Sequence, residues 1–428
     1  MKVYSGEQVN TYTNSNQDTP AITVLADGSY VVVWTSYTQD GVNSYGIYAQ
    51  RFTASGVPTG PESRINTTIG NNQTDASVAA LSSGGFVVTW TDNAKDGSGQ
   101  GVYAQCFDAS GVAQGAEFKV NTTTYSEQYD SSVASYTGGF VVTWSSYNNP
   151  GDTSSYGVYA QRYDNAGSPQ GGEFRVNTTT LDQQYEPDVA ANADGSFVVI
   201  WRSEGQDGSG SGVYAQRYDT TGTAAGGEFR VNTYTTGSQY EAKVATLVGG
   251  GFVVVWRSDG QDGSSAGVYA QRYDASGVAQ GIEFRVNEST SGGQYQPDVA
   301  ALANGGFAVT WYNDNYDMSG TGSYSDVYVR EYDAAGAATG GQVKVTPDNN
   351  YQSQPAIAHL GSDNYVVAWT DNVKDGSGNG IFQQLFGTAS ELPRQANPEL
   401  GDFAGTVTFG ENLVNTTPQV IDHVVGLT

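Results

Sequence analysis

Two sets of residues in this sequence have the types and spacing for chemistry, and both recur along the chain. The first is an acid on a glycine-bent loop: Asp40-Gly41, Asp96-Gly97-Ser98-Gly99, Asp207-Gly208-Ser209-Gly210, Asp262-Gly263-Ser264 and Asp375-Gly376-Ser377-Gly378, with further acids upstream at Asp92 and Asp371. Asp317 stands in the corresponding segment of another copy. Carboxylate, carbonyl and hydroxyl oxygens on such a loop are the donors a hard cation takes, so Asp40, Asp96, Asp207, Asp262, Asp317 and Asp375 are the metal candidates and Ca2+ the expected cofactor. None of these loops has the Asp-x-Asp-x-Asp-Gly spacing with a terminal Glu. Asp-Gly is also a common tight-turn pair, and a plain turn is the competing reading. The second set is Gln128-Tyr129, Gln184-Tyr185, Gln239-Tyr240 and Gln294-Tyr295, two of them running on into Pro187-Asp188 and Pro297-Asp298. Tyrosine beside amides and acids stacks on and hydrogen-bonds a sugar, which makes Tyr129, Tyr185, Tyr240 and Tyr295 the ligand-binding candidates. The competing reading, that each Tyr wedges between neighbouring repeats, is favoured because a residue fixed by a repeat is usually fixed by packing.

Catalysis finds less support in the residue types. His359 and His423 are the two histidines, and neither has a Ser/His/Asp context. Acids recur by repeat position, whereas a general acid and base should break the repeat in one or two copies. The copies that depart are the first, third and sixth, around Tyr37 to Tyr45, Tyr147 to Tyr156 and Asn313 to Tyr324. One asymmetric pocket there is the enzyme alternative, and as a glycosidase it would need two carboxylates about 5–9 Å apart.

The elements that must carry these residues follow from the repeat. Trp34, Trp90, Trp144, Trp201, Trp256, Trp311 and Trp369 recur at intervals of about 55 residues, a period of the kind that marks repeat architectures. In the segment from Gln239 to Asn287, a short strand surrounds Lys243-Val244-Ala245. Phe252-Val253-Val254-Val255-Trp256 follows a glycine turn and reads as a strand buried on both faces. Gly267 to Tyr273 alternates large and small side chains, and Glu283-Phe284-Arg285-Val286-Asn287 is the last strand. Four strands per repeat is a propeller blade. The expected fold is therefore all-β: a seven-bladed β-propeller with four antiparallel strands per blade over residues 1–386. The seventh copy lacks its fourth strand, and Gly6-Glu7-Gln8-Val9-Asn10-Thr11 matches Gly172 to Asn177, so the N-terminal strand is expected to complete the last blade. The arginines Arg51, Arg162, Arg217 and Arg272 are expected to pair with neighbouring carboxylates. Cys106, in the place of that arginine in the second copy, reads as a strand residue without a redox role.

Composition narrows the partners. With 44 acidic and 18 basic side chains the formal net charge is -26, which repels phosphate backbones and excludes nucleic acid as an expected partner. There is no run of about 18 apolar residues, so no membrane helix is expected, and the start of the chain lacks a signal-peptide core. Residues 387–428 read as a linker and short β tail, with strand-like runs at Thr406 to Phe409 and Gln419 to Val425. They carry too few apolar residues for a core of their own and are expected to pair with another chain or open a following module.

The units Gly-Gly-Phe-Val-Val-Thr-Trp, Gln-Asp-Gly-Ser-Gly, Gly-Val-Tyr-Ala-Gln-Arg-Tyr-Asp and Gly-Glu-Phe-Arg-Val-Asn resemble the repeats of large secreted, calcium-associated bacterial surface proteins, many exported by type I secretion. The resemblance spans residues 6 to 386, and the segment Gly405 to Asn412 resembles the opening of the repeat that follows such propellers. The glycine-aspartate nonapeptide of calcium-binding solenoids is missing here. The resemblance implies an extracellular or cell-surface setting. Together these readings set the expectation of a non-enzymatic recognition or scaffold module with a polar loop face that binds calcium and glycans. A structural subunit assembling through its tail and a glycan-active enzyme with a site in an irregular blade are the alternatives.

Overall fold

The computed structural model describes residues 2–3, 6–41, 43–149, 155–315, 324–346 and 350–387. The chain divides into two units, Met1–Leu392 and Pro393–Thr428, and the second lies outside the described residues. So does the proposed assembly tail beyond Gly387. The described residues form strands and turns throughout, and no helix among them is long and apolar enough to cross a membrane.

Each repeat folds as an antiparallel meander. In the fourth, Gln184–Ala191 lies innermost, followed by Phe197–Glu204, Ser211–Tyr218 and the short outer strand Phe229–Arg230. The second strand is buried on both faces because its β-branched run packs against the sheets on either side. Its tryptophan is fully buried in every repeat. A ring stack between the second and third strands recurs with it, as in Phe197 on Tyr218 at 4.6 Å and Phe252 on Tyr273 at 4.8 Å.

The hydrogen-bonded sheets correct the expectation of a seven-bladed propeller with four strands per blade. Five sheets stand alone as blades, four of them four-stranded and one five-stranded, and a sixth sheet has eight strands. The eight-stranded sheet runs from Gln239–Thr246 to Val343–Lys344, because Ala266 of the fifth repeat pairs in parallel with Gly293 of the sixth and joins the two meanders. The five-stranded sheet joins the two ends of the unit: Lys2–Val3 and Glu7–Gln8 both pair with Gly380–Gly387. Core packing closes the ring too, since Trp34 and Tyr30 of the first repeat share a cluster with Val366, Ile381 and Leu385 of the last.

Two polar devices hold neighbouring repeats in register. Asn177 at the end of the fourth strand is buried; its Oδ1 accepts from Val158 N–H at 2.8 Å, and its Nδ2 donates to Gln184 Oε1 at 3.1 Å. The same clasp is made by Asn66 with Gln73, Asn121 with Gln128, Asn232 with Gln239 and Asn287 with Gln294. It pins the start of the next inner strand. The second device corrects the expectation for the arginines: Arg51, Arg217 and Arg272 donate to the backbone carbonyls of Ser110, Ala275 and Ala335 in the turns of the following repeat. Cys106 replaces this clamp in the second repeat, and its buried thiol is pushed up to about 11 by desolvation.

Candidate functional site

The pinned inner strands each break register two residues after the buried glutamine. In the fourth repeat pairing lapses between Tyr185 and Asp188, and Glu186 sits in the left-handed region at φ 54°. The same lapse recurs in all seven repeats and places Thr19, Asp75, Asp130, Glu186, Glu241, Gln296 and Gln354 at φ between 48° and 56°. A left-handed residue with a Cβ costs about 1–2 kcal/mol, and such strain gathers where the surrounding fold imposes it for a purpose. Here the bulge turns seven side chains into one cavity of about 490 Å3 in the middle of the ring, lined by all seven inner strands.

Side-chain length divides the ring. Three of the longer side chains reach the backbone of the next repeat: Glu241 Oε2 accepts from Gln296 N–H at 2.9 Å, Gln296 Oε1 from Gln354 N–H at 3.1 Å, and Gln354 Oε1 from Thr19 N–H at 3.0 Å. Asp130 is one methylene shorter and receives no hydrogen bond among the described residues. The residue after the tryptophan divides the ring again. It is Arg202 in the fourth repeat and Arg257 in the fifth, whose guanidinium groups lie 3.4 Å from Glu186 and Glu241. In the second and third repeats it is Thr91 and Ser145.

The protonation states follow. Burial, helped by the charges of Asp75 and Glu186 and opposed by Lys243, pushes the Asp130 carboxyl up to about 7. Burial also raises Glu186, but Arg202 opposes that rise. Asp75 moves up as well, although channel water reaches it more freely, which leaves Asp130 as the better-formed acid. One layer below, the Lys243 ammonium lies 3.3 Å from Asp188, and Asp188 accepts in addition from Ser132 Oγ and Val244 N–H, both at 2.9 Å. Burial lifts Asp298 on the far side of Lys243 to about 6, with the ammonium pulling it back. Lys243 is itself raised, chiefly by the charge of Asp188.

The four tyrosines named from the sequence each stand one residue before a ring position, and none of them lines the cavity. Tyr156 lies 6.1 Å from Tyr129 and 5.8 Å from Tyr185. Arg202 is sandwiched between Tyr185 and Tyr240, at 4.8 and 4.7 Å, and Arg257 between Tyr240 and Tyr295, at 4.5 and 4.3 Å. The tyrosines therefore fill the seams between repeats. The loop acids go elsewhere: Asp96, Asp207, Asp262 and Asp375 each accept from the serine N–H two residues on, at 2.9–3.1 Å. Their Oδ2 atoms are buried without a hydrogen-bond partner. Asp40 sits on the equivalent loop and Asp317 lies outside the described residues. No three His, Cys, Asp or Glu among the described residues gather as a metal cluster, and none of these loop acids lines the cavity.

Sequence reasoning thus missed Asp75, Asp130, Glu186, Glu241 and Lys243. The signal was present: the residue after Gln-Tyr, and the one after Trp, change from copy to copy inside strands that are otherwise repeated. The expectation of a non-enzymatic module is corrected at this point. Acids line the cavity at one position of the second to fifth repeats, with Asp75, Asp130 and Glu186 raised by burial; the cluster spans four copies rather than the single blade expected of an enzyme, and it lies away from the irregular loops of the first, third and sixth. Of those loops, Tyr37 packs on Tyr45 and Tyr147 on Tyr156, each at 4.7 Å.

No family model and no curated protein matches the chain. Solved structures do. A protein of unknown function from Dyadobacter fermentans is 12% identical with a TM-score of 0.53, and the Penicillium chrysogenum alpha-L-arabinanase complexed with arabinobiose is 14% identical with a TM-score of 0.51. The alpha-L-arabinofuranosidase of Fusarium graminearum with arabinobiose is 12% identical with a TM-score of 0.50. Each match covers 90% of this chain and 98% of the other. The likeness at these identities is one of fold: an all-β propeller.

Proposed function

We propose that the chain is a glycan-cleaving enzyme whose site is the carboxylate ring at the mouth of the central cavity. The observation that carries this reading is the split within the ring: Asp130, without an arginine or a hydrogen bond among the described residues, is pushed up to about 7, while Glu186 and Glu241 are matched by Arg202 and Arg257. Burial raises both Asp130 and Glu186, but only Glu186 has an arginine opposing the rise, and neighbouring carboxylates in such unequal surroundings suit the acid and base roles of a glycosidase. In this reading Asp130 donates its proton to the glycosidic oxygen as the bond to the anomeric carbon breaks. Glu186 is the carboxylate that meets the positive charge developing at that carbon, either directly or through a water it deprotonates. Arg202 holds Glu186 in place and favours its ionised form. Two of the structures of similar fold are arabinan-cleaving enzymes, which supports a glycan as the substrate class. Release of reducing sugar from a panel of polysaccharides, lost on Asp130→Asn, tests the reading; equal release by the variant refutes it.

An extracellular setting and a calcium role belong to the same proposal. The resemblance of the repeats to secreted, calcium-associated proteins supports the setting. The partnerless Oδ2 atoms of Asp96, Asp207, Asp262 and Asp375 support a cation at the loops, where backbone and hydroxyl oxygens would have to supply the other donors.

A further inference from the structure

Among the described residues, the cations that contact the ring acids or lie beneath them are already engaged. Arg202 donates Nε to Ser211 Oγ at 2.9 Å and Nη2 to Glu204 at 2.7 Å, and its Nη1 lies 3.4 Å from Glu186. Both faces of its guanidinium are covered by tyrosine rings. Arg257 donates Nε to Asp259 at 3.0 Å, lies 3.4 Å from Glu241 and is covered by Tyr240 and Tyr295. Lys243 is held by Asp188. A planar guanidinium recognises a carboxylate or sulfate through its paired N–H edge, and here those edges already face protein carboxylates.

A second feature lies on the loops that lead into Asp75, Asp130 and Glu186. Each loop holds out an exposed apolar side chain: Ile69 at 50%, Tyr125 at 64% and Leu181 at 75% accessibility. Tyr125 and Leu181 stand four residues after the clasp asparagine, where the fifth repeat has Thr236 and the sixth Ser291; Ile69 stands three after it. Tyr351, at 47%, stands on the loop that leads into Gln354, so exposed side chains of this kind precede four of the ring positions and give the C–H faces of an uncharged sugar chain a surface to stack on.

From these two features, and resting on the glycan-cleaving reading, we propose that the site selects uncharged glycans and excludes those bearing carboxylate or sulfate groups, with Arg202 and Arg257 the residues that set this choice by being closed to anions. The test is binding on an array holding neutral glycans beside their sialylated, uronate-bearing and sulfated counterparts, followed by titration of the best-bound pair. The expected result is at least about tenfold tighter binding of the neutral member, about 1.4 kcal/mol. The gap should narrow at higher salt as the acidic mouth is screened. Glu204→Gln frees Nη2 of Arg202 and is expected to narrow the gap at least about threefold by improving the charged member alone. A charged member bound as well as its neutral counterpart, or no neutral glycan bound at all, overturns the proposal, and wild-type binding decides this even where the variant fails to fold. Binding with the expected preference but without cleavage would sink the enzymatic reading and leave the selectivity standing as that of a binding site.

Discussion

Replacing Asp130 with Asn tests the electrostatics of the ring without reference to any substrate. In the fold, burial carries the carboxyl from 3.8 to about 7. In the unfolded chain it returns to about 3.9. A tenfold change in proton affinity is about 1.4 kcal/mol, so ionising Asp130 inside the fold costs at most about 4 kcal/mol. Asp130 is only half-buried, and channel water brings the expected figure to about 1–3 kcal/mol. The sign follows from proton counting. Between about pH 4 and 7 the folded state holds a proton that the unfolded state has lost, so the wild type loses stability as pH rises through this window. Asparagine does not titrate. Denaturant unfolding at intervals from pH 4 to 8 should show Asp130→Asn gaining on the wild type by about 1–3 kcal/mol, with the gain complete just above pH 7. The groups facing Asp130, namely Asp75, Glu186 and Lys243, are present in both proteins and largely cancel in the difference. Parallel stability profiles for the two proteins would refute the reasoning, because they would mean that Asp130 is already ionised at pH 5.

Three further predictions concern the frame. Arg217→Met removes the donations to Ala275 O at 2.6 Å and Ala225 O at 2.9 Å; because the contacts are part-exposed, the expected loss is about 1–2 kcal/mol in a denaturant midpoint, and an unchanged midpoint would deny the clamp its role. Deleting residues 1–12 strips both N-terminal strands from Gly380–Gly387 and removes buried Val9 and the Asn10 acceptor of Ile381 N–H. A loss of about 3 kcal/mol or more, with aggregation visible by light scattering, is expected, and a truncated chain that melts like the full one would contradict closure through this edge. Millimolar calcium should raise the melting temperature of the wild type and do so less for Asp207→Asn with Asp262→Asn; an equal rise in both returns these loops to plain turns.

The strands were legible in the sequence because their causes are local. Phe252-Val253-Val254-Val255-Trp256 allows little but a strand buried on two faces, and Asp274-Ala275-Ser276-Gly277 allows little but a turn. The joining of two meanders into one sheet was not legible, since it rests on a single parallel pairing, Ala266 with Gly293, between residues that no local pattern relates. The site was half legible. Tyr185 and Tyr240 were singled out for sugar stacking, but the structure shows them wrapped around Arg202. Glu186 and Asp130 escaped notice because an alternating strand would place them by the pleat, and only the bulge at positive φ turns them into the cavity. The bulge follows the clasp between Asn121 and Gln128, a contact that a strand pattern alone does not reveal. The loop acids drew attention instead because Asp-Gly is a strong local signal, and local signals report turns more faithfully than sites.

The central claim is that the cavity mouth cleaves glycosidic bonds with Asp130 as the acid. The most direct measurement is the rate of reducing-sugar release from neutral polysaccharides, arabinan among them, by the wild type, Asp130→Asn and Glu186→Gln across pH 4 to 9. The account predicts a wild-type rate that falls as pH rises through about 7, where Asp130 loses its proton, and a loss of about 100-fold or more in Asp130→Asn that removes this descending limb. Glu186→Gln should abolish the rate at every pH. No release by the wild type from any polysaccharide, or release that Asp130→Asn retains with the same pH profile, would contradict it.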